Sequence, residues 1–239
     1  MIYSAQRAAN RFAKEELQDR WLSLCKRLGV KGDVIYHVKL YDQLTHYYSH
    51  PARVYHNLEH IRYCLGKFDE VIHLVPHPDL VELAIWFHDA IYELWADDDE
   101  FRSASLALFF ITQLMGLERD LARRVAFIIE NTAYFNKNNT HTPNEDAKYM
   151  IDIDLAGFGD TLEVFEQNGK NVAAEYGWVD TAEHLEKRIK ILKIFRTRDP
   201  FYLTDYFRKK YQERARDNLD IEINILEHNK LEQLLKTAN

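Results

Sequence analysis

Glycine and proline are scarce in this chain of 239 residues, which contains eight glycines and five prolines. This scarcity disfavours all-β and Rossmann-type folds, because their frequent turns need both residues. Cysteine is scarcer still: Cys25 and Cys64 are the two cysteines, and they lie in apolar surroundings far from any Cys-x-x-Cys spacing. The sequence therefore supports neither a disulfide framework nor a zinc ribbon. Both cysteines are expected to be thiols of the core.

A positive charge excess and long apolar runs are also lacking. The net charge is −7 at pH 7, which disfavours binding to nucleic-acid polymers or to anionic membranes. No run approaches the roughly 20 apolar residues that span a bilayer, and the polar N-terminal segment has no signal-peptide core. We therefore expect a cytoplasmic protein with neither a membrane nor a nucleic-acid polymer as its partner.

Apolar residues recur at helical spacing through most of the chain, which predicts an all-α fold. Hydrophobic residues make up 46% of the sequence, enough for a substantial core. The connections are too short for a clear linker, so one helical domain over residues 1–239 is expected. The predicted helices cover about 4–28, 34–48, 56–74, 79–94, 100–115, 118–135, 145–157, 159–176, 181–197 and 203–235.

Histidine and aspartate interrupt two apolar segments in the first half of the chain. The segment "VYHNLEHI" contains His56 and His60, whose spacing of four would place both rings on one face of a helix. The segment "WFHDAIYE" places His88 beside Asp89 in a run that predicts a buried helix. An unpaired carboxylate costs several kcal/mol or more to bury, and this run contains no lysine or arginine. A metal ion shared with His88 would balance the charge of Asp89.

A third apolar segment, "YMIDIDLAGFG", contains Asp152 and Asp154. One divalent cation shared by the three segments would explain all of these buried polar groups at once. Simpler explanations remain open for each segment. His56 could precede or cap its helix while His60 packs in the core, and one of the aspartates could cap a following turn.

With these residues the chain resembles the HD superfamily of metal-dependent phosphohydrolases, and in particular an uncharacterised bacterial branch of it. Two blocks carry most of the resemblance: the first matches P-x-R-x-Y-H-N-L-x-H over 51–60, and the second matches A-x-W-F-H-D-x-x-Y over 84–92. The weaker matches are Glu100, Ser103 and Ala104; Asp152, Asp154 and Leu155; and Ala215, Arg216, Asn218 and Leu219. The resemblance covers about residues 51–219.

The resemblance implies an HD-domain-like helical bundle with additional C-terminal helices and a core of about 51–219. It also implies a divalent metal ion, with Mn, Fe, Co, Ni and Mg as the candidates. The residues that would hold the ion are His60, His88, Asp89 and Asp154.

The implied reaction is hydrolysis of a phosphoester of a small metabolite, with nucleotides as one substrate class. A small phosphorylated substrate is thus the expected partner. A homodimer is possible, but the sequence does not determine the oligomeric state. The catalytic candidates are Asp89, Glu93 and Asp152, with Glu100 and His56 as further acid or base candidates. The candidates for substrate contact are Arg53, His56 and Tyr92. Arg53 could clamp a substrate phosphate, or it could be a solvated arginine of an exposed loop.

The chain departs from its presumed relatives at two positions. Where related proteins often have a histidine before the long loop, this chain has Tyr134, so a second metal ion is not expected. Where HD nucleotidases tend to have a catalytic glutamate, this chain has Tyr92 followed by Glu93. Two alternative functions therefore stay open: a non-catalytic helical regulatory module that binds metal or nucleotide, and an HD-type di-iron oxygenase.

Overall fold

A computed structural model describes residues 2–93, 96–134, 141–177 and 181–237. Within these ranges the chain is all-α and contains no strand, which confirms the predicted fold class. Short 3-10 turns cover Ile72–Leu74 and Leu155–Gly159, and a π-helical turn covers Phe110–Leu114. The α-helices are α1 (Ile2–Arg27), α2 (Val34–Tyr47), α3 (Leu58–Val71), α4 (Pro78–Phe87), α5 (Asp99–Phe109), α6 (Arg119–Glu130), α7 (Glu145–Asp154), α8 (Leu162–Glu175), α9 (Thr181–Arg196) and α10 (Asp205–Thr237).

The chain divides into two compact units, Met1–Asp154 and Leu155–Asn239. The residues of the HD-like motifs up to Asp154 all belong to the first unit. The single domain over 1–239 stays a prediction. In the part of the chain that the structure describes, no helix is long and apolar enough to cross a membrane.

Helix α4 is the centre of the first unit. Every residue from Leu80 to Phe87 is buried, as is typical of a helix that is surrounded by others. It packs against α3, α5, α6 and α7, while α1 packs against α2 and α3. The carboxyl end of α4 therefore lies in the interior of the unit, and the residues that follow it begin in a buried environment.

A buried carboxylate on α4 is matched by two arginines of α1. Glu82 accepts hydrogen bonds from Arg20 Nε at 2.9 Å and from Arg27 Nη2 at 2.5 Å. Arg20 also pairs with Asp69 on α3 at 2.7 Å. These ion pairs connect α1, α3 and α4, and they balance a charge that would be costly to bury alone.

The second unit is built around α10, which packs against α8, α9 and the 3-10 turn Leu155–Gly159. Asn218 donates hydrogen bonds to the carbonyls of Phe158 (2.8 Å) and Asp160 (3.0 Å). A Cβ atom on Gly159 would lie 2.6 Å from Tyr211 Cβ, so α10 approaches this turn closely only because residue 159 is glycine. The Ala-Arg-x-Asn-Leu motif thus has a structural role, because its Asn218 caps the turn.

Several predicted helix boundaries differ from the structure, and three of them lie near the candidate site. The helix predicted over 79–94 ends at Phe87, the one predicted over 56–74 begins at Leu58, and the one predicted over 118–135 ends at Glu130. The predicted end points 94 and 135 lie outside the described residues. The first two differences affect the candidate site directly, because they remove His56, His88 and Asp89 from regular helix.

Candidate metal centre

The first turn of α3 carries His60 into the interior of the first unit. Asn57 is the N-cap of this helix, and its side chain accepts a hydrogen bond from the Glu59 amide at 2.8 Å. Asn10 of α1 accepts a second one from the Leu58 amide at 2.8 Å. These caps satisfy amides that a helix end leaves without partners. Since the helix begins after His56, the alternative that His56 precedes the helix is confirmed, and the two histidines do not share one helical face.

The His-Asp pair lies in a turn at the end of α4 that hydrogen bonds from distant residues hold open. Arg53 Nη1 donates to the carbonyl of Asp89 at 2.6 Å, and its Nη2 donates to that of Ala90 at 3.0 Å. Ser103 Oγ of α5 donates to the Ile91 carbonyl at 3.2 Å and accepts from the Ile91 amide at 3.0 Å. Because these partners replace the hydrogen bonds that would continue a helix, α4 ends and Asp89 turns towards His60.

Four donor atoms from three segments converge beside this turn. His60 Nε2 lies 3.3 Å from His88 Nε2, 3.5 Å from Asp89 Oδ2 and 3.1 Å from Asp154 Oδ1. His88 Nε2 lies 3.1 Å from Asp89 Oδ2 and 3.5 Å from Asp154 Oδ1. An ion with bonds of about 2.1 Å sets neighbouring donors about 3.0 Å apart in an octahedron and about 3.4 Å apart in a tetrahedron. The spacing of these atoms fits a metal centre.

Hydrogen bonding also favours a cation among these atoms. His88 Nδ1 lies 2.9 Å from the Ile85 carbonyl; because that oxygen only accepts, Nδ1 carries a hydrogen, and the Nε2 of a neutral ring presents a lone pair. The carboxylates of Asp89 and Asp154 add only acceptor atoms. Asp89 Oδ2 is buried and makes no hydrogen bond, although His88 Nε2 lies 3.1 Å away. The cluster thus has more lone pairs than protons to fill them.

The charges of the cluster shift its pKa values in opposite directions. Burial alone would lower the pKa of His88, but Asp89 and Asp154 raise it well above its ordinary value. Burial alone would raise the pKa of either carboxyl group, but His60 and His88 hold the pKa of Asp154 well below its ordinary value, and His88, His56 and His60 lower that of Asp89. In the metal-free protein a proton on His88 balances part of the negative charge, and a divalent cation would take its place.

Cys64, which the sequence predicts to be a thiol of the core, also belongs to the cluster. His60, Cys64, His88 and Asp154 each offer an atom within 4.8 Å of the others, so this group could hold a metal ion. The sulfur lies 3.6 Å from His60 Nε2 and 3.9 Å from His60 Nδ1. Burial, and then the charges of Asp154 and Asp89, raise the pKa of the thiol well above its ordinary value. The spacing of four from His60 on one helix could have identified it.

Tyr134 is a second residue whose contact with the cluster the sequence did not predict. Its hydroxyl donates a hydrogen bond of 2.8 Å to Asp154 Oδ2. Asp154 Oδ1 is the oxygen that faces His60 and His88. The two oxygens of this carboxylate therefore have different partners.

The two carboxylates are more exposed to solvent than the two imidazole rings. The side chains of His60 and His88 are 3% and 1% exposed, whereas those of Asp89 and Asp154 are 15% and 16% exposed. A small molecule would therefore reach the donors past the carboxylates rather than past the rings.

Aromatic rings and one guanidinium surround the donors. The ring of His56 stacks on that of Tyr92 at 3.9 Å, and the ring of Tyr55 lies 5.0 Å from that of His60. The Arg53 guanidinium lies 5.7 Å from the Tyr92 ring and donates to backbone carbonyls with both terminal nitrogens. The structure therefore places His56 and Tyr92 beside the donors, and it shows Arg53 hydrogen-bonded to the backbone. The contacts of these three residues with a substrate stay predictions.

The predicted catalytic residues differ in their positions relative to the donors. Glu93 is 62% exposed and pairs with Arg102 at 2.8 Å, because the chain has left the helix before it reaches Glu93. Asp152 is fully buried on α7, and two positions on an ideal α-helix are about 200° apart, so its catalytic role stays a prediction. Asp89, in contrast, is among the donors. The structure thus separates Glu93 from the cluster that Asp89 and Asp154 share.

Glu100 is the remaining acid or base candidate near the carboxylates. It lies one turn before Ser103 on α5, and Ser103 holds that helix to the turn after Asp89. Burial, and then the charges of Asp89, Asp99 and Asp154, raise the pKa of Glu100 to about 7. A carboxyl group with this pKa can give up or accept a proton near neutral pH.

No family model, curated protein or solved structure matches this chain. The resemblance to the HD superfamily therefore stays a prediction. The structure shows an all-helical fold with a buried group of histidine, cysteine and aspartate side chains that could hold a metal ion.

Proposed function

We propose that this protein is a metal-dependent phosphohydrolase that cleaves a phosphoester of a small metabolite, with nucleotides as one substrate class. One observation carries the proposal: the donor atoms of His60, His88, Asp89 and Asp154 converge at 3.1–3.5 Å. Three separate segments supply them, so the arrangement is a product of the fold. The two motif blocks contain His60, His88 and Asp89, and Asp154 belongs to one of the weaker matches.

Two imidazoles and two carboxylates suit a hard or borderline divalent ion, and Mn, Fe, Co, Ni and Mg are all compatible with them. Such an ion, when bound, would neutralise phosphate charge and lower the pKa of a water molecule. The more exposed side, that of Asp89 and Asp154, is the side from which a phosphate would arrive. The aromatic pair of His56 and Tyr92 would border the organic part of the substrate.

Proton transfer to the leaving group is the task that we assign to Glu100. In the metal-free protein, burial and the charges of neighbouring aspartates raise its pKa to about 7. The exposed Glu93, paired with Arg102, has no comparable position. Arg53 would hold Asp89 in place through its carbonyl and add positive charge near the carboxylates.

Phosphate release from a panel of phosphomonoesters and phosphodiesters, nucleotides included, tests the proposal. The parent protein is assayed after loading with each of the five metals, beside His88→Ala and Asp154→Ala. His73→Ala is the matched control, because His73 is exposed and lies outside the cluster. We expect release by the parent and by His73→Ala, and a loss of about 10³-fold or more in the two site variants.

Other outcomes would identify the alternatives. A parent that holds metal but releases no phosphate from any substrate contradicts the proposal and favours the regulatory module. Two iron ions per chain together with oxygen consumption would favour the di-iron oxygenase. Within the described residues, however, only one group of possible ligands was found.

A further inference from the structure

Asp154 uses its two carboxylate oxygens for different purposes. Oδ1 lies 3.1 Å from His60 Nε2 and 3.5 Å from His88 Nε2, so it points into the donor cluster. Oδ2 accepts the 2.8 Å hydrogen bond from the Tyr134 hydroxyl. A carboxylate with two available oxygens can chelate one ion or bridge two ions. Here a phenol already engages one of the two.

The turn that presents Tyr134 is held by several hydrogen bonds. After α6 ends at Glu130, Asn131 Nδ2 donates to the Phe127 carbonyl at 2.8 Å, and Thr132 Oγ1 donates to the Ile129 carbonyl at 2.7 Å. The Tyr134 amide donates to the Thr132 carbonyl at 2.8 Å. Helices α6 and α7 pack against each other, and Asp154 is the last residue of α7. The phenol is therefore directed at Asp154 by ordered structure at both ends.

We propose that Tyr134 is a positioning residue that makes Asp154 a one-oxygen ligand and thereby limits the centre to a single ion. This inference rests on the metal centre of the proposed function. The hydrogen bond fixes the rotation of the carboxylate and turns Oδ2 towards the phenol, so Oδ2 would be poorly placed to chelate a bound ion or to bridge to a second. Partners of this kind set both the orientation and the strength of metal ligands.

Tyr134→Phe tests the inference because it removes the hydroxyl and keeps the ring. Tyr41→Phe is the matched control: Tyr41 also belongs to the first unit, and its hydroxyl donates to the Lys14 carbonyl at 2.6 Å, away from the donors. Each protein is titrated with Co²⁺ and followed by its visible absorption, which reports coordination number. Bound metal per chain is then measured in excess Co²⁺.

We expect one Co²⁺ per chain in the parent and in Tyr41→Phe, with the same spectrum and affinity. Tyr134→Phe should bind about 10- to 100-fold more weakly, with a spectrum shifted towards higher coordination number or with more than one ion per chain in excess metal. Thermal unfolding of the three metal-free proteins shows whether the variants are folded.

Three results would overturn the inference. These are an unchanged affinity, spectrum and stoichiometry in Tyr134→Phe; two ions in the parent; and a parent that binds no Co²⁺ at all. Because the readout is metal binding, a parent that binds one ion and yet hydrolyses no phosphoester would refute the proposed function while leaving the role of Tyr134 intact.

Discussion

The Nε2 atoms of His60 and His88 lie 3.3 Å apart, although the two residues are 28 positions apart in the chain. One ring belongs to the first turn of α3 and the other follows the end of α4. Two ring nitrogens at this distance share either a proton or a cation. Because Asp89 and Asp154 bring two carboxylates to the same point, a divalent cation balances the charge better than one proton does.

Metal affinity should rise with pH, since His88 must lose a proton to bind the ion. Asp89 and Asp154 raise the pKa of His88 above its ordinary value, so the ring is protonated below that raised pKa and competes with metal there. Each proton displaced weakens apparent affinity about tenfold per pH unit below the pKa. Calorimetry of Mn²⁺ binding in buffers of different ionisation enthalpy should show about one proton released per ion. Affinity that stays constant between pH 6 and pH 8, with no proton release, would contradict this expectation.

Replacing Cys64 should affect metal affinity much less than replacing Asp89 does. The sulfur packs 3.6–3.9 Å from both ring nitrogens of His60, whereas Asp89 Oδ2 lies 3.1 Å from His88 Nε2. We expect Cys64→Ala to keep metal affinity within about tenfold and Asp89→Ala to lower it about 100-fold or more. Isothermal titration with Mn²⁺ and Zn²⁺ measures both. A thiolate charge-transfer band in the Co²⁺-loaded parent, lost in Cys64→Ala, would instead make the sulfur a ligand.

Glu100 and Glu93 should differ in their effect on phosphate release. If Glu100 protonates the leaving group, Glu100→Gln should lower kcat by about 10²- to 10⁴-fold. An acid whose pKa is about 7 loses its proton as the pH rises through that value, so kcat of the parent should fall there. A bound cation would move this fall to lower pH. Glu93→Gln should stay within about twofold of the parent, and an equal loss in both variants would refute the assignment.

Arg53 could bind a substrate phosphate, or it could stabilise the fold through its hydrogen bonds to backbone carbonyls, and a substitution distinguishes these two roles. Its guanidinium donates to the carbonyls of His56, Asp89 and Ala90, and hydrogen bonds to a charged group contribute about 1.5–3 kcal/mol each. We expect Arg53→Ala to lower the free energy of unfolding by about 2–3 kcal/mol and to weaken metal binding. Arg53→Lys keeps the positive charge but lacks the two terminal nitrogens of the guanidinium. It should therefore recover only part of the stability and only part of the metal affinity. Urea unfolding measures stability. A higher KM with unchanged stability would support the clamp.

Helical periodicity was sufficient to predict the fold class and most helix positions. The apolar pattern gave α2 over 34–48, against the observed Val34–Tyr47, and gave α9 over 181–197, against Thr181–Arg196. The buried polar groups also indicated that three segments could share one ion. The resemblance to the HD superfamily supplied the set His60, His88, Asp89 and Asp154, and the structure brings these donor atoms together. The helical period and the cost of a buried charge can both be read from local sequence, whereas the choice of ligands could not.

The geometry around the His-Asp pair could not be predicted from local sequence. Helix α4 ends because Arg53 and Ser103 take over backbone hydrogen bonds, and these residues are 36 and 12 positions from their partners Asp89 and Ile91. A periodic apolar pattern carries no information about such distant partners. For the same reason Glu93 was expected near Asp89 on one helix, and the bond from Tyr134 to Asp154 was not foreseen.

The metal content of the purified protein after loading with Mn, Fe, Co, Ni or Mg tests the central claim most directly. His88→Ala and Asp154→Ala are measured beside the parent, with His73→Ala as the surface control. We expect about one ion per chain in the parent and in His73→Ala, and almost none in the two site variants. No ion in the parent under any loading condition would contradict the account and leave the four side chains as a hydrogen-bonded network of the core.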